Sequence, residues 1–321
     1  MLILNEIDIL QAVTMNDVIL AIEEAYVLYE SNDFQMPLRN LMTDQDNTML
    51  LMPCVAKDST GLKIVHVFPN NHEYPVTQGV MMLNDRENGS IKGILNGTVL
   101  TGIRTGAIGG VAIKYLAPEN AHSVGLIGTG FQGLHQLIAA CTVRNIKDIY
   151  LYNRTPSKLP SFVQTLRNQI AKEIEIHIVN SSSALVEQAD IIITATTSNS
   201  PVLPTIQNAF NGKLIIGIGS YQPQMREFSE SIYTNLEFLY VDTLDAIHES
   251  GDVIDPIQHN WLEESQVISF SKVITQKIKP TFSEHRPTVF KSTGMALFDL
   301  VVANVIYKKA LNLQIGQYVN L

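Results

Sequence analysis

The stretch that decides the fold reads Ser123-Val-Gly-Leu-Ile-Gly-Thr-Gly-Phe-Gln-Gly-Leu134. Its apolar run from Val124 to Ile127 predicts a buried strand, which ends in the pattern Gly128-x-Gly130-x-x-Gly133 and is followed by apolar residues at helical spacing. In such a strand–turn–helix unit, the first glycine permits the tight turn, the second lets a pyrophosphate approach the backbone, and the third lets helix and strand pack closely. A glycine-rich turn without a ligand is the alternative. We favour a dinucleotide-binding turn with its phosphates at the helix N-terminus.

The next predicted strand bears on the choice of cofactor. Lys147-Asp-Ile-Tyr-Leu-Tyr152 is typical of a second parallel strand, and Asn153, Arg154 and Thr155 follow it. An NAD-selective site usually has Asp or Glu here to bind the ribose 2′-hydroxyl. A carboxylate would repel a 2′-phosphate, whereas the Arg154 guanidinium can bind one through two hydrogen bonds. The sequence therefore predicts NADPH, with NADH as the alternative; an exposed loop arginine is the interpretation without a ligand.

Two later segments predict further strands of the same sheet. Ala189 to Thr194 and Lys213 to Gly217 are near-continuous apolar runs, which is typical of parallel strands covered on both faces. The predicted fold class is therefore α/β, with a doubly wound parallel sheet of the Rossmann type. The loop from Ala195 to Ser198 follows the first of these strands, at the sheet edge where nicotinamide and substrate meet in such folds.

The chain on either side of this region has a different pattern. Between residues 48 and 100, short strands are predicted over Met49–Met52, Leu62–Phe68 and Gly79–Asn84, which indicates an antiparallel α+β domain. The final helical pattern, Gly294 to Leu311, is expected to return to this first domain or to a subunit interface. We therefore expect a substrate-binding and dimerisation domain of residues 1–117 plus 301–321, with an NADP-binding Rossmann domain of residues 118–300 inserted into it.

Composition limits the classes of function. The chain has 321 residues, 45% hydrophobic and 17% charged, which predicts about two globular domains. Its net charge of −9 argues against nucleic acid or an anionic membrane as a partner. The start of the chain lacks the pattern of a secretory signal, and the longest apolar region contains Arg104 and Lys114, so we expect no membrane span. Cys54 and Cys141 are interpreted as buried thiols of a cytoplasmic protein without a metal site.

Three cations outside the glycine turn are candidates for chemistry: Arg39, Lys63 and Arg104. Lys63 lies in a strand-like apolar run, and Arg104 opens an apolar, glycine-rich helical pattern up to Leu116. A buried cation is costly unless it is paired, so these positions suggest a bound carboxylate or phosphate. The alternatives stay open: Lys63 could be a solubilising lysine on an edge strand, and the arginines could form structural salt bridges.

A family resemblance extends over nearly the whole chain. The motifs that carry it occur in this order: Gly61-x-Lys63, Val76-Thr-Gln-Gly79, Arg104-Thr-Gly-Ala107, Gly128-Thr-Gly130, Asn153-Arg-Thr155, Gly219-Ser-Tyr-Gln-Pro-Gln-Met-Arg-Glu227, Glu249-Ser-Gly-Asp252 and Val289-Phe-Lys-Ser-Thr-Gly-Met295. By their order and spacing, the chain resembles the ornithine cyclodeaminase/mu-crystallin family.

This resemblance implies a homodimer whose first domain binds the substrate. It implies that Arg39, Lys63 and Arg104 surround the substrate carboxylate and the reacting nitrogen. It further implies a set of residues lining a nicotinamide cofactor: Thr105, Gly128, Thr129, Gly130, Gln132, Gly133, Asn153, Arg154, Thr155, Thr196 and Ser292.

One departure from the family pattern indicates the branch. Ornithine cyclodeaminases and related alanine dehydrogenases carry an Asp two residues after the glycine at Gly219, whereas this chain has Tyr221. Without that carboxylate, loss of ammonia from ornithine lacks its general base. Ketimine reductases and bacterial Δ1-pyrroline-2-carboxylate reductases also lack it, and they resemble this chain in the Arg226-Glu227 pair.

We therefore expect NADPH-dependent reduction of a cyclic imino acid, Δ1-pyrroline-2-carboxylate or Δ1-piperideine-2-carboxylate, to L-proline or L-pipecolate. The alternatives are an ornithine cyclodeaminase, an alanine or opine-type dehydrogenase, and a non-catalytic NADPH-dependent binder of small molecules.

Overall fold

The computed structural model describes residues 1–57 and 59–320. These residues form helices α1 (Glu6–Ala12), α2 (Met15–Ser31), α3 (Gly97–Leu116), α4 (Phe131–Val143), α5 (Leu159–Arg167), α6 (Ser182–Gln188), α7 (Ala246–Glu249), α8 (Gly251–Gln258), α9 (Ser271–Ile274) and α10 (Ala296–Leu313). The strands are β1 (Leu2–Leu4), β2 (Phe34–Gln35), β3 (Asn40–Asp44), β4 (Asn47–Ala56), β5 (Ser59–Val67), β6 (Thr77–Asp85), β7 (Ile91–Asn96), β8 (Ser123–Ile127), β9 (Asp148–Tyr152), β10 (Glu175–Ile178), β11 (Ile191–Thr194), β12 (Leu214–Gly217), β13 (Leu239–Val241), β14 (Val267–Ser269), β15 (Thr288–Lys291) and β16 (Gln317–Tyr318).

The chain divides into two compact units. The first unit comprises Met1–Arg104 and Met295–Leu321, and the second comprises Thr105–Gly294. Both boundaries lie earlier in the chain than the expected ones at 117/118 and 300/301. The first of them falls inside helix α3, which begins at Gly97, so Arg104 lies in the middle of this helix and does not open it as the sequence suggested. No turn signal marks a boundary inside a continuous helix, so periodicity could not detect it.

The first unit is built on a largely antiparallel sheet. Its strand order is β16-β1-β7-β6-β5-β4-β2, with β3 also paired to β4, and the β1–β7 pair is parallel. Burial alternates along β4 and β5, as expected for strands with one face on a core. Helices α1 and α2 each begin with a capping box, formed by Asn5 with Asp8 and by Thr14 with Asp17. Helix α10 belongs to this unit.

The second unit confirms the predicted doubly wound sheet. All neighbouring strands pair in parallel, in the order β10-β9-β8-β11-β12-β15-β13-β14. Strands β8, β11 and β12 are buried throughout, because helices cover both faces of a sheet of this type. The strand order reverses direction at β8, and ligands of such folds bind outside the carboxyl ends of the strands at this point.

Among the described residues, no helix is both long enough and apolar enough to cross a membrane. In the same part of the chain, no group of three His, Cys, Asp or Glu side chains is placed to hold a metal ion.

Cys54 is buried, whereas Cys141 is only partly buried, so the expectation of two buried thiols is confirmed for Cys54 alone. Burial raises the pKa of the Cys54 thiol to about 12, which makes it a poor nucleophile at neutral pH.

Candidate functional site

The glycine turn between β8 and α4 has the geometry of an anion cradle. Gly128 has φ +98°, and a Cβ there would lie 2.6 Å from the Ala195 carbonyl oxygen, so only glycine fits. Gly130 is the N-cap of α4 and has open space where a Cβ would stand. At Gly133, a Cβ would lie 2.5 Å from the Gly128 carbonyl oxygen, which shows how closely helix and turn pack. The first-turn N–H groups of α4 therefore face a surface that a phosphate can approach.

A cavity of about 830 Å³ lies beside this turn at the carboxyl ends of β8, β9 and β11. Such a volume is within the range of small-molecule and cofactor sites. The lining includes seven residues implied to bind the cofactor: Gly128, Thr129, Gly130, Asn153, Arg154, Thr155 and Thr196. Residues 195–202 form much of the remaining wall.

The loop after β9 presents two positive charges to the cavity. Arg154 and Lys158 both line it, and both are exposed. Sequence reasoning had found Arg154 but not Lys158, which lies four residues further along the chain. Asn153 has a second role that the sequence did not reveal: its Nδ2 donates to Thr129 Oγ1 at 2.6 Å, and its Oδ1 accepts from the Thr155 N–H at 2.8 Å. The amide thereby ties this loop to the glycine turn.

The other four residues implied to line the cofactor are not among the residues lining this cavity. The Thr105 carbonyl accepts a hydrogen bond from Gln136 Nε2 at 2.7 Å, and Ser292 Oγ donates to Asp242 Oδ2 at 2.6 Å. Gly133 is the packing glycine of the turn. Gln132 has a buried Oε1 without a hydrogen-bond partner among the described residues. These four contributions to cofactor binding stay predictions.

In the first unit, a single carboxylate joins two of the predicted cations. Lys63 of β5, Arg104 of α3 and Asp299 of α10 have exposed fractions of 1%, 6% and 0%. Lys63 Nζ lies 2.8 Å from Asp299 Oδ2, and Arg104 Nε lies 3.0 Å from Asp299 Oδ1. Lys63 is therefore not a solubilising edge lysine, and Arg104 does form a buried ion pair. Sequence reasoning missed Asp299, whose only signal was one carboxylate in the apolar pattern of the last helix.

Charge and burial together alter the proton affinity of Lys63. Burial lowers its pKa to about 7; the charges of Arg104 and Arg39 act in the same direction, while Asp299 opposes them. Arg39 is half-buried and lies between β2 and β3, close enough for its charge to reach Lys63. The three cations named from the sequence thus act on one another in the same unit. At neutral pH, an amine with this pKa can both give and accept a proton.

The fold and these features define a two-unit α/β protein that carries a Rossmann-type dinucleotide turn and a buried cation cluster. A model of the ornithine cyclodeaminase/mu-crystallin family matches residues 1–314, and the chain belongs to this family. The predicted membership is confirmed.

Among its relatives, a Delta(1)-pyrroline-2-carboxylate reductase of Bacillus cereus is 33% identical over 325 residues, covering 99% of each chain. The solved structure of the Thermococcus litoralis Delta(1)-pyrroline-2-carboxylate reductase in complex with NADH and L-proline has 30% identity and a TM-score of 0.93, covering 99% of this chain and 100% of that one. An archaeal alanine dehydrogenase dimer with bound NAD has 28% identity and a TM-score of 0.91, covering 100% of this chain and 99% of that one.

Proposed function

We propose that this chain is a nicotinamide-dependent oxidoreductase that reduces the C=N bond of a cyclic 2-imino acid. The substrate would be Δ1-pyrroline-2-carboxylate or Δ1-piperideine-2-carboxylate, and the product L-proline or L-pipecolate. The observation that carries the proposal is the buried cluster of two cations on one carboxylate, Lys63 and Arg104 on Asp299. The Bacillus cereus and Thermococcus litoralis reductases support it, since both are named for this reaction and match essentially the whole chain.

The cluster suits a small carboxylic acid because its charges do not balance. Two buried cations, Lys63 and Arg104, share one carboxylate, that of Asp299. An excess of buried charge is costly, so a ligand carboxylate would stabilise the cluster by neutralising it. Asp299 engages Nε of Arg104, which leaves the two terminal nitrogens of the guanidinium to bind a carboxylate side by side.

Lys63 is the proposed proton donor. Its pKa of about 7 means that much of the amine is protonated at neutral pH, and release of the proton is facile. Transfer of that proton to the imine nitrogen makes the neighbouring carbon electrophilic, and Lys63 regains a proton from solvent after turnover. A bound reduced nicotinamide supplies the hydride. The remaining contribution of the chain is to orient the acid and exclude water.

We further propose that NADPH is the preferred cofactor. The glycine turn fits a pyrophosphate, because Gly130 leaves open space in front of the α4 N-terminus. Arg154 and Lys158 line the cavity near the position where a ribose 2′-phosphate would lie, and Asn153 replaces the carboxylate that would repel it. The Thermococcus litoralis structure contains NADH, so the two reductants must be compared directly.

We also propose a homodimer formed through the first unit. Thirteen of the eighteen large exposed hydrophobic side chains among the described residues belong to that unit. Ile7 and Leu10 of α1 and Leu20 and Val27 of α2 are among them, each at least half exposed. A concentration of apolar surface of this kind favours a protein–protein interface. Light scattering coupled to gel filtration would give twice the chain mass, whereas a monomer would contradict the proposal.

One assay tests the reaction. Oxidation of NADPH and NADH is followed with each cyclic imino acid, in parallel with pyruvate plus ammonia, and the product is identified by chiral chromatography. We expect turnover with a cyclic imino acid, formation of the L-amino acid, and a higher kcat/KM with NADPH. Turnover only with pyruvate and ammonia would indicate an alanine dehydrogenase like the archaeal relative. Release of ammonia from ornithine with NAD would indicate a cyclodeaminase, and NADPH binding without turnover a binding protein.

A further inference from the structure

The second unit contains a buried ionic cluster that the proposed mechanism does not use. Glu227, Asp252 and Lys291 are all fully buried, and Lys291 Nζ lies 3.4 Å from Asp252 Oδ2. None of the three lines the cavity beside the glycine turn. Three charged side chains with no exposure require many compensating contacts, so their arrangement is a specific feature of the fold.

The Glu227 carboxylate binds two loops at once. Its Oε1 accepts hydrogen bonds from the N–H and the hydroxyl of Thr196, at 2.7 and 2.8 Å. Its Oε2 accepts from the N–H groups of Gly219 and Ser220, at 2.7 and 3.3 Å. Thr196 follows β11 and Gly219 follows β12, which are neighbouring parallel strands. One carboxylate therefore connects the carboxyl ends of two adjacent strands.

The two loops touch directly at this point. A Cβ at Gly219 would overlap the backbone of Thr196, so glycine permits the close approach. Glu227 is itself fixed, since its N–H donates to Asp252 Oδ1 at 2.8 Å and its carbonyl accepts from the Val202 N–H at 2.9 Å. Burial raises the pKa of Glu227, and the charge of Lys291 opposes that shift. Four donors around the carboxylate favour its ionised form.

These contacts lie directly behind one wall of the cavity. Thr196 and the rest of residues 195–202 line it on the β11 side, whereas Asn153 and Arg154 line it on the β9 side. Strand β8 lies between β9 and β11 in the sheet. In a doubly wound fold, the two mononucleotide halves of a dinucleotide lie on opposite sides of this central strand. The adenosine half therefore belongs to the β9 side, and the nicotinamide half to the wall that Glu227 supports.

We infer that Glu227 is a positioning residue for the nicotinamide half of the cofactor. By holding Thr196 and Gly219 together, its carboxylate fixes the wall against which this half binds. Asp252 holds the backbone of Glu227 in place, and Lys291 pairs with Asp252. The inference rests on the proposed function only through the identity of the cofactor as a nicotinamide dinucleotide.

Glu227→Gln tests the hydrogen bonds of the carboxylate without changing the packing, because the two side chains have the same shape. The amide has one acceptor oxygen instead of two, so its NH2 group must face the N–H groups of one of the two loops. The N–H groups of that loop then lack a hydrogen-bond acceptor, and we expect the loop to move. Glu230→Gln is the matched control: it is the same chemical change three residues further on, at an exposed position.

The test compares two ligands that differ in the nicotinamide half, NADH and ADP-ribose, by titration calorimetry on the full chain. Glu227→Gln should weaken NADH about ten- to hundredfold, which is the loss expected for unsatisfied buried donors, and should leave ADP-ribose within about twofold. Glu230→Gln should change neither affinity. Should Glu227→Gln fail to fold, Glu227→Asp keeps the charge beside Lys291 but is too short to reach both loops, and should show the same selective loss of NADH affinity.

The outcomes are distinct. Equal weakening of both ligands, or no change in either, would overturn the inference while leaving the proposed reaction intact. Failure of the wild-type chain to bind NADH or NADPH would overturn both. Selective loss of NADH affinity in a chain that turns over no cyclic imino acid would support the positioning role and contradict the substrate assignment.

Discussion

The two buried ionic clusters of this protein have opposite charge balances. In the first unit, Lys63 and Arg104 share the one carboxylate of Asp299, which gives two cations to one anion. In the second unit, Glu227 and Asp252 accompany Lys291, which gives two anions to one cation. The side chains of both clusters are buried to a similar degree. They differ in what compensates the excess charge.

The excess negative charge of the second cluster is compensated by the protein itself. Six hydrogen bonds from N–H and hydroxyl groups reach the carboxylates of Glu227 and Asp252. In the first cluster, the excess positive charge lowers the proton affinity of Lys63 instead. Its pKa falls to about 7, because burial and the charge of Arg104 outweigh the attraction of Asp299. The comparison suggests that the first cluster is completed by a ligand anion, whereas the carboxylates of the second are held by hydrogen bonds from within their own unit. Three predictions test the role of the first cluster, and a fourth contrasts buried with exposed charge.

The largest effect is expected for Lys63→Met, which keeps the volume of the side chain and removes its amine. Loss of the proposed proton donor should lower kcat/KM for the cyclic imino acid about 10²- to 10⁴-fold, as is typical for a general acid. Steady-state kinetics measures this, and calorimetry should show unchanged cofactor affinity. Lys92→Met, a partly exposed lysine on β7 paired with Asp85, is the control and should retain activity. Full activity in Lys63→Met would remove Lys63 from the mechanism.

Asp299→Asn should have the next largest effect, on folding stability. It leaves two buried cations without their carboxylate, which typically costs about 3–5 kcal/mol in the free energy of unfolding. Lys63→Met should cost much less, because the low pKa of Lys63 shows that its charge is buried at an energetic cost. Urea titrations of both variants give the comparison. Equal losses of unfolding free energy in the two variants would mean that the charges of the cluster balance without a ligand, which would contradict our interpretation.

The pH dependence of the reaction follows from the same group. Lys63 must be protonated to donate, and its pKa is lowered from 10.5 to about 7. The kcat/KM for imine reduction should therefore be level below about pH 7 and fall about tenfold per pH unit above it. Oxidation of the amino acid requires neutral Lys63 and also the unprotonated amine of the substrate, so its kcat/KM should rise with pH through about pH 7. A break near pH 7 that persists in Lys63→Met would assign the titration to another group.

The parts of the site that sequence reasoning found are those with local causes. The turn from Gly128 to Gly133 was predictable because strand, glycine spacing and helix lie within a dozen residues. Asp299 was not, because it meets Lys63 across 236 positions of the chain, and no local pattern encodes such a pairing. The structural role of Glu227 was missed for the same reason: its partners Thr196 and Gly219 lie in separate loops that only the parallel sheet brings together.

The smallest effect is expected where charge is exposed. Arg154 and Lys158 lie at the surface of the cavity, so solvent and salt screen them far more than the buried clusters. Arg154→Asp should shift the ratio of NADPH to NADH affinity by about tenfold toward NADH, because a carboxylate would face the 2′-phosphate while Lys158 still attracts it. Lys172→Asp makes the same type of charge change at an exposed position outside the cavity lining and should leave the ratio unchanged. Calorimetry at low and high salt measures both, and the shift should shrink as salt rises. A ratio that is the same in wild type and Arg154→Asp would mean that Arg154 does not select the cofactor.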